Sequence, residues 1–187
     1  TASCDVSCEA VGCQPPDQGG HGTGGTVGAT SDMNPSAGYR VADNFTPTAS
    51  GVVSNVCWWG LYIDFGASAD CGVDGPGTGD NFTIEYYLDD GDGLTPGTLH
   101  AGPFSVGSSV APTGDVIPSG IGDLIQYEYT AGHPAVKVAA GQCYWISIYN
   151  ETTGTCFWLW ETAPAGDERS AQNADGWGSN DFDVAFC

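Results

Sequence analysis

Basic side chains are almost missing from this sequence. One lysine and two arginines stand against 23 aspartates and glutamates, which gives a formal net charge of −20 at neutral pH. A surface with that charge repels the phosphates of nucleic acids and the headgroups of anionic lipids. The sequence also lacks any apolar run that approaches the ~20 residues of a membrane-spanning helix. We therefore expect neither a nucleic-acid partner nor insertion into a membrane.

The short motifs that mark common active sites are missing as well. The three histidines, His21, His100 and His133, show no H-x-H or HExxH spacing of the kind that binds metals. The sequence has no GxSxG nucleophile motif, and it singles out no pair of carboxylates in the apolar setting of a glycosidase site. We expect a protein without catalytic residues, and not an enzyme.

Strong helix formers are scarce, since the chain has one methionine and one lysine but 29 glycines and 11 prolines. β-Branched and aromatic residues cluster in short runs between Gly, Pro, Asp and Ser, which is typical of antiparallel β proteins. The spacing of these runs predicts an all-β, antiparallel β-sandwich of the jelly-roll kind, with about nine strands. The predicted strands are 39–45, 52–65, 81–89, 98–106, 124–130, 135–139, 142–149, 155–161 and 182–187.

The first 37 residues have a different character. Cys4, Cys8 and Cys13 lie close together and are followed by a glycine-rich stretch, 15–32, that has no hydrophobic period. Such a stretch buries too little apolar surface to fold alone. We predict an extended N-terminal arm over 1–37, pinned by disulfides, and a sandwich domain over 38–187.

Eight cysteines without a C-x2-C pair indicate disulfides rather than a zinc site. Disulfides persist in oxidising compartments, and the sequence begins at Thr1 without a methionine or a signal peptide. We expect a secreted or cell-surface protein whose signal peptide has been removed. All eight cysteines are predicted to be oxidised: Cys4, Cys8, Cys13, Cys57, Cys71, Cys143, Cys156 and Cys187.

The pairing of the cysteines is only partly determined by the sequence, because eight allow 105 connectivities. Cys57 and Cys71 flank one strand and a returning loop, so we favour that pair. Cys187 is expected to meet one of the arm cysteines. A pair between Cys143 and Cys156 stays open, because a simple hairpin through 150–154 would place them on opposite faces of the ladder.

An acidic turn is the candidate metal site. Asp89, Asp90 and Asp92 lie within four residues, interleaved with glycines, and carboxylates together with backbone carbonyls are the ligands that calcium prefers. The alternative is an ordinary Asp/Gly turn between two strands. Calcium is thus a candidate cofactor.

Large aromatic residues form the candidate binding platform. Trp58 and Trp59 are adjacent and must point to opposite faces of a strand, whereas Trp158 and Trp160 share a face. Exposed aromatic rings would stack on sugars, and the alternative is that all four pack in the core. Among the N-x-T triplets, the one that begins at Asn150 lies in a predicted turn and is the best glycosylation acceptor.

Several segments resemble a loosely defined family of bacterial secreted and cell-surface β-sandwich domains, most of which have no assigned biochemical role. The segments are YRVADNFTPT, VCWWGLYIDF, DNFTIEYYLDDGDGLTPGTL, QCYWISIYNETTGTCFWLWE and GWGSNDFDVAFC. The resemblance covers about residues 39–187 and implies export and a sandwich fold, but it provides no catalytic residues. The sequence lacks the C-terminal anchor of many relatives, which favours release or assembly with other copies.

Together these features predict a secreted, non-enzymatic structural or interaction module, a subunit of an extracellular surface layer or filament. Its expected partners are other copies of itself. The alternative is a carbohydrate-binding module that contacts extracellular glycans through its exposed aromatic residues.

Overall fold

The computed structural model describes residues 13–16, 20, 25–36, 38–72, 80–91, 93–164 and 166–187. These residues form twelve β-strands, and no α-helix occurs among them. The strands are β1 (Gly28–Thr30), β2 (Arg40–Phe45), β3 (Gly51–Asp64), β4 (Phe82–Asp89), β5 (Pro96–Val106), β6 (Ser109–Ser119), β7 (Gly122–Val138), β8 (Tyr144–Tyr149), β9 (Cys156–Ala163), β10 (Ser170–Asn173), β11 (Trp177–Ser179) and β12 (Asp183–Val184). The described part of the chain therefore contains no helix that could span a bilayer.

Two antiparallel sheets pack face to face, which confirms the predicted all-β sandwich. The first sheet has the order β1-β9-β3-β7-β6, with β12 also paired to β9, and the second has the order β11-β10-β2-β8-β4-β5. The chain crosses repeatedly from one sheet to the other, as between β2 and β3 and between β8 and β9. Strands that are neighbours in sequence therefore often lie in different sheets.

The core between the sheets is built mainly from aromatic side chains. Trp58, on the inner face of β3, stacks on Tyr129 of β7 with their ring centroids 5.5 Å apart. Phe82 of β4, in the opposite sheet, packs edge-on against both Trp58 and Trp158, at 5.2 and 5.1 Å. Such edge-to-face and offset contacts are the favoured geometries of aromatic pairs. They join the two sheets at the centre of the molecule.

Gly60 makes the position of Trp158 possible. A Cβ atom at Gly60 would lie 2.3 Å from the indole nitrogen of Trp158, which packs flat against the glycine backbone from the neighbouring strand. Only glycine, which has no Cβ atom, leaves room for the indole at this position. Glycine in the middle of a strand normally weakens the strand, and this close contact explains its presence in β3.

The described part of the arm is held by the sandwich. β1 pairs with β9, and the carboxylate of Asp32, which is fully buried, organises the loop that joins β8 to β9. Its oxygens accept hydrogen bonds from the backbone N–H groups of Asn34, Thr152 and Trp158 at 2.8, 3.1 and 2.8 Å. The Thr152 hydroxyl adds a fourth bond at 2.7 Å. Tertiary contacts of this kind supply the support that a glycine-rich segment lacks.

A disulfide between Cys13 and Cys187 joins the arm to the end of the sandwich, as the sequence predicts for Cys187. The neighbouring Gln14 and Phe186 form an antiparallel bridge, with reciprocal backbone hydrogen bonds of 2.7 and 2.9 Å. On its other side this C-terminal segment pairs with β3, because Cys187 and Cys57 exchange backbone hydrogen bonds of 2.8 Å. The arm is therefore pinned both covalently and by strand pairing.

Candidate functional site

The second described disulfide corrects the predicted pair Cys57–Cys71. Cys71 is bonded to Cys156, which lies opposite Asp64 at the far end of β3. Cys57 is seven residues from Asp64 along this strand, a separation of roughly 23 Å at ~3.3 Å per residue. No disulfide spans that distance. Cys57 is disulfide-bonded, but not to Cys71.

Cys143 is a free thiol, so the prediction that all eight cysteines are oxidised is wrong for this residue. Cys143 precedes β8 in the second sheet, whereas Cys156 begins β9 in the first. The segment between β8 and β9 crosses between the sheets and is not a hairpin. The Cys143–Cys156 pair, which the sequence left open, does not form, because Cys156 is bonded to Cys71. Burial raises the pKa of the Cys143 thiol, so the unreactive protonated form dominates at neutral pH. Cys4 and Cys8 lie outside the described residues.

The four tryptophans proposed as a sugar platform are all buried. Trp58, Trp158 and Trp160 have no exposed surface and Trp59 is 5% exposed. The inner face of the first sheet holds Trp58, Trp158 and Trp160, because they pack into the core between the sheets. Trp59 points to the opposite face, where Ala163 and Ala185 cover it. None of the four can stack on a ligand, and the assignment is corrected.

The acidic turn after β4 is organised by its own hydrogen bonds. Asp89 accepts bonds from the backbone N–H groups of Gly91 and Gly93 at 2.8 and 3.2 Å and from the Trp145 indole at 3.0 Å. Asp90 accepts a bond from the Thr95 hydroxyl at 2.6 Å. Asp92, the third proposed ligand, lies outside the described residues. Within the described residues no group of three acidic, histidine or cysteine side chains is placed to hold a metal.

Asn150 is not an available glycosylation acceptor, contrary to the expectation from its N-x-T triplet. It is fully buried, and its side-chain amide donates a hydrogen bond of 2.8 Å to Asp80.

His100 and His133 contact different partners. The His133 ring stacks on Phe104, and His100 lies 2.9 Å from the Lys137 carbonyl oxygen.

An open groove lies beside the first half of β3. We call it the β3 groove; it has a volume of about 520 Å³ and is lined by residues 45–57 of β2, β3 and their connection together with Val138 and Cys187. A smaller cavity of about 60 Å³ shares part of this lining and also borders the core residues Tyr86, Ile146 and Phe186. These three residues are at most 4% exposed, so the core beside the groove is covered.

One wall of the β3 groove is a stretch of strand edge that no described strand pairs with. On the side away from β7, β3 pairs with β9 and then with the C-terminal segment as far as Cys57, opposite Cys187. Over 51–55 no described strand continues this pairing. Val52, on this stretch, is 61% exposed, the highest value among the large apolar side chains that the structure describes. An open edge offers a row of N–H and C=O groups to an added strand.

The outer face of the second sheet carries a different cluster, which we call the Arg40 face: Arg40, Glu85, Tyr87, Tyr149 and Trp177. The Arg40 guanidinium donates to Glu85 at 3.0 Å and lies 5.8 and 5.7 Å from the centroids of the Tyr149 and Trp177 rings. The Tyr87 hydroxyl also donates to Glu85, at 2.5 Å. Burial, assisted by the neighbouring carboxylate, raises the pKa of Tyr87. Strand alternation places all five side chains on one face, a signal present in the sequence that composition alone did not bring out.

A third polar cluster is buried where β12 meets β2. Asp43 accepts backbone hydrogen bonds from Val184 at 2.7 Å and from Asn44 at 2.6 Å. Asp183 accepts from the N–H groups of Glu168 and Arg169, at 2.9 and 3.1 Å. Burial raises the pKa of both carboxyl groups despite these bonds. The cluster ties the end of the chain to the second sheet.

The described residues form a β-sandwich that contains disulfides. A family model described as "Domain of unknown function (DUF7901)" matches residues 13–185, and the chain belongs to this family. No curated protein and no solved structure matches it.

Proposed function

We propose that this protein is a secreted, non-enzymatic structural module, in which copies join into an extracellular layer or filament. The observation that supports the proposal is the β3 groove, where an exposed valine lies on a stretch of β3 edge that no described strand pairs with. A second copy that donates an extended segment would complete the sheet by strand addition. The disulfides are typical of the oxidising environment that such a role requires.

Strand addition between copies has a consequence for symmetry. The donated segment and the accepting edge are different surfaces, so the contact is head-to-tail and propagates unless it closes into a ring. A net charge of −20 disfavours contacts between faces of like charge, whereas backbone pairing at an apolar groove avoids most of that repulsion.

Two matched charge substitutions test this proposal. Val52 in the groove and Val116 on β6 are 61% and 52% exposed, so Val52→Asp and Val116→Asp should both leave the fold intact. Light scattering and negative-stain microscopy should show multimers for the unmodified chain and for Val116→Asp. The Val52→Asp variant should be monomeric. Equal assembly of the two variants would contradict a role for the groove.

A second candidate function, glycan binding, is supported by the Arg40 face and not by the four buried tryptophans. Tyr149 and Trp177 are partly exposed and flank a guanidinium, which combines stacking surfaces with a hydrogen-bond donor for sugar hydroxyls. Trp177→Ala should then abolish binding on a glycan array. Phe65→Ala, which removes a 50% exposed aromatic ring elsewhere, should not. An array without any bound glycan would remove this candidate.

A further inference from the structure

The partly exposed side chains of the Arg40 face lie in a row that runs across the strands. Trp177 of β11 is paired with Asn173 of β10, and Asn173 is paired with Arg40 of β2. The register of β2 and β8 places Tyr149 beside Arg40 on the next strand. The row therefore spans three strand spacings, which is roughly 14 Å at ~4.8 Å for each spacing. A row of this length suits a chain of sugar rings more than a single small molecule.

The positive charge in the middle of this row is already compensated. Arg40 donates to the buried carboxylate of Glu85 at 3.0 Å, and the Tyr87 hydroxyl donates to the same oxygen. Opposite charges at this distance cancel each other for any group that approaches from further away. Arginine has five N–H donors, of which Glu85 accepts from one. Arg40 thus offers hydrogen-bond donors to a ligand without offering a net charge.

The charge of the whole molecule also disfavours an anionic ligand. The net charge is −20, and Lys137 and Arg169 are the only basic side chains besides Arg40. A carboxylated or sulfated glycan would be repelled as it approached, and it would find the guanidinium already paired. An uncharged glycan meets neither obstacle, because its hydroxyl groups need donors and not a counter-charge.

We propose that the ligand of the Arg40 face is an uncharged glycan, whose rings stack on Trp177 and Tyr149 and whose hydroxyl oxygens accept hydrogen bonds from Arg40. Glu85 is the positioning residue that sets this preference, because it orients the guanidinium and cancels the charge that would otherwise attract acidic sugars. This inference rests on the glycan-binding candidate, and it adds the chemical class of the ligand and the residue that determines it.

A glycan array tests the class of ligand with the unmodified full chain. The array should pair uncharged glycans with counterparts that carry uronic acids or sulfate, and the bound glycans should be uncharged. Their affinity, measured by calorimetry, should change by less than about twofold between about 50 and about 500 mM salt, because no charge on the ligand is screened. A preference for acidic glycans, or a steep fall in affinity with salt, would overturn this inference alone. An array without any bound glycan would remove the glycan-binding candidate, and this inference with it.

Two variants with the same change in net charge test the role of Glu85. Glu85→Gln keeps the size of the side chain and an oxygen that accepts from Arg40, but it removes the compensating charge. Affinity for acidic glycans, relative to their uncharged counterparts, should rise at least about tenfold, because an uncompensated guanidinium pairs with carboxylates. Asp123→Asn, at an exposed position, should leave this ratio unchanged.

The same ratio of affinities in Glu85→Gln and in Asp123→Asn would overturn the role of Glu85. If Glu85→Gln fails to fold, the salt series on the unmodified chain still decides the class of ligand.

Discussion

The side chain of Asp32 connects several parts of the fold. Its carboxylate is fully buried and accepts four hydrogen bonds, which join the arm to the loop between β8 and β9 and to β9 itself. Asp32→Ala would leave three buried backbone N–H groups unpaired, so we expect a loss of about 3–5 kcal/mol in the free energy of unfolding. Urea titration measures this free energy. In the control variant Asp123→Ala, which changes an exposed residue, it should change by less than about 0.5 kcal/mol. Similar losses in the two variants would contradict the role of Asp32.

Gly60 provides a test of core packing. The Cβ atom of an alanine would overlap the Trp158 indole, and this ring is too tightly enclosed to move freely. We expect Gly60→Ala to destabilise the protein by about 3 kcal/mol or more. Gly107→Ala, at a position with no atom within 4 Å of the new Cβ, is the matched control. Thermal unfolding of both variants decides the point, and a Gly60→Ala protein as stable as the control would refute it.

Single residues were also where the sequence was least informative. Trp58 and Trp59 were correctly expected on opposite faces, but alternation along a strand does not reveal that Ala163 and Ala185 cover the outer one. The hydrogen bonds that join Asp32 to Thr152 and Trp158 could not be predicted, because these partners are more than 100 positions away in sequence.

Among the elements, the buried acidic cluster of β2 and β12 predicts how stability varies with pH. The raised pKa values of Asp43 and Asp183 mean that the folded protein binds protons at these groups more tightly than the unfolded chain. Their contribution is therefore complete at low pH and is lost as the pH rises through the raised values. Partly exposed Asp64, whose pKa is lowered by its hydrogen bond from Thr155, acts weakly in the opposite direction.

We expect the free energy of unfolding to increase as the pH falls from 7.5 towards 5, and the slope to be smaller in Asp43→Asn. Denaturant titrations at several pH values measure the free energy of unfolding and its slope against pH. They need high salt, because screening removes the general repulsion within a chain of charge −20. A flat or inverted dependence in the unmodified protein would show that the cluster does not control stability.

The disulfide between Cys71 and Cys156 should contribute to stability, whereas the free thiol of Cys143 should not. It links the loop after β3 to the start of β9, across 85 residues of sequence. Replacing both Cys71 and Cys156 by serine should cost about 2–4 kcal/mol. Cys143→Ser should have little effect, and in denaturant without reductant Cys143 should react with an alkylating reagent. A Cys143 that resists alkylation there would contradict its assignment as a free thiol.

Regular strands were predicted well and irregular ones were not. The predicted strand 52–65 corresponds to β3 (Gly51–Asp64), because an unbroken run of apolar and aromatic residues marks a central strand. β6 (Ser109–Ser119) was missed, since Pro112, Gly114 and Pro118 read as loop residues although an edge strand with a register shift tolerates them. β7 was predicted as two strands because Gly132 and Pro134 interrupt its pattern.

For the molecule as a whole, composition indicated the disulfides and the fold class better than the candidate site. The cysteine count correctly indicated disulfides, and the link from Cys187 to the arm was expected. The β3 groove was not, because it arises where pairing along β3 stops opposite Cys57, which depends on the three-dimensional register. The Arg40 face likewise depends on four strands, β2, β4, β8 and β11, meeting on one surface.

The molar mass of the unmodified chain in solution tests the central claim most directly. Light scattering over a range of protein concentrations should give masses that rise above 19.2 kDa in whole-number steps and extend to elongated particles, as head-to-tail strand addition requires. A constant mass of 19.2 kDa at all concentrations would contradict the account.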